Sequence, residues 1–152
     1  MTILGIDIGM KGALAFYTQD GLKVYDMPIY AVKKGNALDL KALSTMIKDH
    51  LPIQHAYIES AQLMPSNGKT SFQKLGIAQG AMQMAMACLD IPYTMVAPRT
   101  WKKDMKCPKD KDGARMRASE LMPSHAHNWP LKKHDGRAEA ALIALYGDGI
   151  VN

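Results

Sequence analysis

The chain has 152 residues, of which 47% are hydrophobic and 22% charged, a balance that fits one globular domain over residues 1–152 and excludes a disordered chain. No apolar run approaches the ~20 residues of a membrane span, and no basic stretch precedes the apolar start as in a signal peptide. Cys88 and Cys107 are the only cysteines, which excludes a disulfide framework or a paired-cysteine metal knuckle and makes a reducing cytoplasm the expected compartment.

Residues 2–9, with apolar residues alternating around Asp7, predict a buried strand. Residues 13–18 and 21–28 predict two more, and Asp20-Gly21 between them is a hairpin signal. Residues 30–37 are polar and contain glycine, so a loop is expected. Leu38, Leu40, Leu43, Met46, Ile47 and Leu51 then fall at helical spacing, with Asp39 as N-cap. A short strand is expected over 55–59, a glycine- and proline-rich flexible segment over 64–69, and a long Ala/Met-rich helix over 70–89. A fifth strand follows at 92–97, then helices at about 100–104 and 112–122, an irregular stretch over 124–133, and a closing helix over 136–146. The first three strands have short turns and should be antiparallel. The last two follow helical crossovers and should be parallel. The expected fold class is therefore α/β, a mixed five-stranded sheet flanked by helices.

The net charge of +5 is unevenly placed. Between Arg99 and Arg137 eleven Lys or Arg stand against five acids, giving +6, while the rest of the chain carries −1. A phosphate-binding surface needs such a concentration, although a solvated lysine-rich loop would also produce it.

Asp7 is a charge inside an apolar strand, costly unless it is paired or holds a metal. Gly5 and Gly9 share its face and leave room for a ligand to approach. Glu59 repeats the pattern at the end of Tyr57-Ile58, and Asp135 and Glu139 lie four apart on one face of the last helix. Taken alone, Asp135 is equally well explained as an acid at a helix N-terminus. If the four converge, they supply the hard oxygen ligands that two Mg²⁺ ions require for phosphodiester hydrolysis.

In chain order, GIDIGMKGALAFY, YIESAQLMP, SFQKLGIAQGAMQMAM, VAPRTWKK, KDGARMRASELMP and HDGRAEAALIALYG resemble successive parts of the RuvC family of Holliday-junction resolvases, in particular their compact bacteriophage forms. The resemblance spans nearly the whole chain. It implies a ribonuclease-H-like fold and a homodimer in the cytoplasm of a bacterial host. Each subunit would nick one of two like-polarity strands of a four-way DNA junction with Mg²⁺ or Mn²⁺. It implies Asp7, Glu59 and Glu139 as catalytic metal ligands. The remaining family acid departs from the pattern, because its position is Gly136 here. Asp135, one residue earlier, is the expected substitute, with His134 as an alternative.

Lys102 matches a basic residue that would act on the scissile phosphate, and Lys111 matches a second. Lys103, Lys109 and Arg115 extend the DNA-binding set, and Phe72 lies near where the family has an aromatic that would stack on unpaired bases, although packing on the core at the start of the helix would explain it equally. The resemblance also places the long Met-rich helix in the dimer interface, where packing in the core would explain it equally. Zinc at Cys107, His125, His127 and His134 is not expected from their spacing, and Trp101 and Trp129 are expected to anchor loops rather than stack on DNA.

Three functions follow: a nuclease for four-way junctions or more broadly for forks, flaps and three-way branches; a nucleotide-binding phosphotransfer domain; and a DNA binder without catalysis. GIDIGMKGALA also resembles the phosphate loop of the sugar-kinase and actin superfamily, but 152 residues do not suffice for two lobes. An inert DNA binder gains nothing from acids placed near phosphates.

Overall fold

The computed structural model describes residues 1–60, 68–110 and 112–149. The expected flexible segment over 64–69 falls largely outside them, and so does Lys111. Strands β1 (Thr2–Asp7), β2 (Ala13–Thr18) and β3 (Gly21–Asp26) form an antiparallel meander, because the short connections between them leave no room for a crossover.

Next come β4 (Ile29–Val32) and β5 (Gly35–Leu38), paired as a separate two-stranded hairpin. This corrects the loop expected over 30–37. Gly35, at φ +90°, reverses the chain after Lys33-Lys34. Residues 29 to 36 are all exposed, so neither strand shows the apolar alternation of a half-buried one.

Helix α1 (Leu40–Lys48) follows, capped by the Asp39 carboxylate, which accepts a bond from the Ala42 N–H at 3.0 Å. Strand β6 (Ile53–Glu59) lies parallel to β1, helix α2 (Lys69–Cys88) crosses over, and β7 (Tyr93–Val96) lies parallel to β6. The main sheet has the order β3-β2-β1-β6-β7, the mixed sheet the sequence predicts. Helices α3 (Pro98–Asp104) and α4 (Gly113–Leu121), two 3₁₀ turns at Pro123–Asn128 and Lys132–His134, and α5 (Asp135–Asp148) complete the chain.

Alternation along the strands divides the core between the two faces of the sheet. Leu4, Ile6, Leu14, Phe16, Ala56 and Ile58 pack under α1 and α2. Ile3, Ala13, Ala15 and Val96 pack under α3, α4 and α5. Asp7 falls on the second face, the side of α5. That helix lies so close to β1 that a Cβ on Gly5 would meet the Ala140 carbonyl oxygen and come within 2.5 Å of the Ala144 nitrogen. Arg137 in its first turn grips the Asp26 carboxylate at the end of β3 through Nε at 2.7 Å and Nη2 at 2.8 Å. Among the described residues no helix is long and apolar enough to cross a membrane.

Candidate metal centre and nucleic-acid interface

Asp7 and Glu59 end neighbouring parallel strands, one residue beyond the Ile6–Ile58 pair. The carboxyl ends of such strands form the crevice where α/β sheets place ligands. Glu139 reaches the same point from the second turn of α5. One carboxylate oxygen from each of Asp7, Glu59 and Glu139 lies within 4.8 Å of the others. Among the described residues this is the one cluster with metal-ligand geometry, and the histidines and Cys107 form none.

The electrostatics of the trio call for a cation. Burial pushes the Asp7 carboxyl well above the usual carboxylate range, and the negative charges of Glu139, Glu59 and Asp135 push it further. Burial raises Glu59 as well, and the Trp101 bond works against that rise. Lys102 is the nearby counter-charge, its Nζ 3.2 Å from Glu139 Oε1. Burial opposes its positive charge, but Glu139 and Glu59 outweigh burial and hold its pKa above the ordinary lysine value. Three converging hard oxygens around a deficit of positive charge fit a divalent cation of the Mg²⁺ type.

The fourth acid is placed differently. Asp135 is exposed and stands outside the trio, with its Oδ1 accepting the Gly136 N–H at 3.0 Å. Gly136 is the residue that faces Asp7. A Cβ there would lie 2.5 Å from the Lys11 carbonyl oxygen and 3.1 Å from Asp7 Oδ2. A side chain does not fit where the resemblance expects an acid. His134 is buried with its Nδ1 accepting the Leu131 N–H at 3.2 Å, so that nitrogen has an internal task. Burial and the nearby Arg137 and Lys133 cations hold its pKa below the usual histidine value.

The basic segment opens beside the carboxylates. A cleft of about 710 Å³ is lined by Arg99, Lys102, Lys103, Lys109 and Cys107, with Glu139 at its inner end. Arg115 is turned inward: it donates to the carbonyls of Trp129 (3.0 Å) and Pro130 (2.7 Å) and pairs with Asp112 at 2.9 Å. It ties α4 to the segment before α5. Phe72 is 39% exposed in the first turn of α2.

Trp101 has a role that sequence reasoning missed. It is fully buried, and its indole N–H donates to Glu59 Oε2 at 2.6 Å. The available signal was a buried-type indole directly before Lys102, on the helix that follows the strand beside β6, since a buried tryptophan N–H needs an acceptor. Trp129 is also buried and donates to Ser119 Oγ at 2.9 Å. Both indoles are thus inside the molecule, Trp101 on helix α3 and Trp129 directly after the first 3₁₀ turn.

No known family and no curated protein matches the sequence. Solved structures do match the fold. RuvC of Thermus thermophilus in complex with a Holliday junction substrate superposes with a TM-score of 0.68 at 14% identity, covering 99% of this chain and 96% of that one. A second Thermus thermophilus RuvC structure gives 0.62 at 16% identity with the same coverage. The yeast mitochondrial Holliday junction resolvase Ydc2 gives 0.51 at 15% identity, over 95% of this chain and 77% of that one. This chain has the ribonuclease-H-like fold in the form that the RuvC resolvases carry.

Proposed function

We propose that the chain is a divalent-metal-dependent endonuclease that nicks four-way DNA junctions, acting as one nuclease domain per subunit of a homodimer. The observation that carries this reading is the convergence of Asp7, Glu59 and Glu139, from three separate elements, beside a cleft lined by four cations. The fold-level likeness to junction resolvases supports the choice of substrate. Asp7, Glu59 and Glu139 would hold Mg²⁺, for which Mn²⁺ would substitute, with Asp135, whose charge is felt at Asp7, as the fourth acid of the site. A bound divalent cation lowers the pKa of an attacking water and neutralises charge that develops on the phosphate.

The protein's own residues supply the rest. Arg99, Lys103 and Lys109 hold the DNA backbone in the cleft, and Lys111, by the resemblance alone, is a further phosphate contact. Lys102, already pointed at the carboxylates, donates to the scissile phosphate as its negative charge grows. Phe72 stacks on a base at the branch point. Helix α2 supports the dimer: Ile77, Gly80, Met84 and Cys88 recur at helical spacing and are all exposed, while Met82 and Met86 on the other face are fully buried. The site of action is the cytoplasm of a bacterial host.

The test is incubation with Mg²⁺ and labelled four-way, three-way, flap and linear DNA. Paired symmetric nicks on the four-way junction are expected, with no product from Asp7→Asn, which should still retain the junction in a gel shift. Equal cutting of every branched substrate would replace the reading with a general debranching nuclease. Retention of DNA without any nick would leave a binding protein.

A further inference from the structure

We propose that Trp101 is a positioning residue for the carboxylate site: its indole N–H holds Glu59 in the orientation that takes up the divalent cation. The proposal rests on the metal-dependent reading above. Glu59 ends its strand facing two other carboxylates, whose negative charge disfavours its orientation toward the site when no cation is bound. The Trp101 bond opposes that effect. At 2.6 Å it is a short charge-assisted bond, made by an indole with no exposure to solvent. Indole has a single donor and no acceptor, so it fixes a carboxylate without competing as a ligand. The bond occupies one of about four lone-pair positions of the carboxylate and leaves the others for a cation.

The anchor is rigid for reasons visible in the local sequence. Helix α3 starts directly after β7 with Pro98 at its first position, and Trp101 lies within its first full turn under the α5 face of the core. The next residue, Lys102, pairs with Glu139. Two consecutive side chains of one short helix thus hold the two glutamates, one from β6 and one from α5. The spacing between those ligands is set by α3 as much as by the strands.

Trp129 provides the control, because it is equally buried and makes its bond to Ser119 rather than to a carboxylate. The experiment is calorimetric titration of Mn²⁺ into wild type, Trp101→Phe and Trp129→Phe, with thermal melting of each. Trp101→Phe is expected to weaken Mn²⁺ binding about tenfold, equivalent to about 1.4 kcal/mol. Trp129→Phe should lower the melting temperature and leave Mn²⁺ affinity within about twofold of wild type. Unchanged affinity in Trp101→Phe, or an equal loss in Trp129→Phe, overturns the proposal.

If Trp101→Phe fails to fold, Trp129→Phe serves instead, since Trp101 is then the sole indole. Its emission should change along the Mn²⁺ titration and saturate with the calorimetric curve; constant emission through saturation overturns the proposal. A wild-type protein that takes up no Mn²⁺ would overturn the metal-dependent reading itself, and this proposal with it.

Discussion

Asp7 is held in an unfavourable state by its neighbours, and Gly136 is one reason it can be. The glycine lets the first turn of α5 press against the Lys11 carbonyl and the Asp7 carboxylate without a side chain in between. Gly136→Asp, which would restore the acid expected from the family pattern, should therefore disrupt the site rather than complete it. Its Cβ must displace backbone at Lys11, an overpacking cost of about 1–3 kcal/mol, and it adds a fourth negative charge beside Asp7. A melting-temperature drop with no gain in nicking rate is the expected result; a stable and faster enzyme would refute it. At this scale the sequence was informative where one residue breaks a local rule. Asp7 in an apolar strand and Glu59 at a strand end stand out because charge there is expensive. Trp101 does not stand out, since its bond to Glu59 joins positions 42 residues apart and neither residue is unusual in its own segment.

Strand and helix meet at Gly5. Helix α5 carries Glu139 and β1 carries Asp7, so the separation of these elements is also the separation of two of the carboxylates. Gly5→Ala inserts a methyl group against the backbone of Ala140 and Ala144. It is expected to destabilise the protein by about 1–3 kcal/mol and to lower Mn²⁺ affinity as well, measured by melting and calorimetry on the same samples. A loss of stability with full metal affinity would show that the site tolerates a wider gap. The elements themselves were legible where burial imposes a period, as in β1, β2, β3 and α1, while α5, buried nearly all round, was legible from its run of helix-forming Ala and Leu; all five lie within a few residues of their expected positions. The β4–β5 hairpin was not, because a ribbon exposed on both faces imposes no apolar alternation.

For the molecule as a whole, the carboxylate cluster links stability to pH and to metal. Asp7 and Glu59 keep their protons to higher pH in the folded protein than in the unfolded chain. The folded state therefore binds more protons between the ordinary carboxylate value, about 4, and the raised native values. Stability falls as pH rises through that window and stays reduced above it. His134, held below the ordinary histidine value by burial and by the Arg137 and Lys133 cations, acts oppositely, and so does Asp26, since the Arg137 bond holds it below the usual range and its contribution is lost on acidification. Its exposed position keeps that effect small. Melting of the metal-free protein should thus occur at lower temperature at neutral pH than in mild acid, and Mg²⁺ should raise the neutral value selectively. Asp7→Asn should flatten both dependences. A metal-free wild type equally stable across this range would contradict the strained carboxylates.

The hairpin that the sequence concealed leaves the chain and returns to it at one place: the Asp39 N–H donates to the Pro28 carbonyl at 2.9 Å, closing its base. Of its strand residues only Leu38 is buried in the main body. Residues 29–37 therefore stand apart from the main sheet, and the turn at their tip meets helix α2 through Lys74, whose Nζ donates to the Lys34 carbonyl at 3.4 Å. The junction at the hairpin's base is a natural port for grafting, where an affinity tag or a second DNA-reading module can be installed while Asp7, Glu59 and Glu139 keep their places.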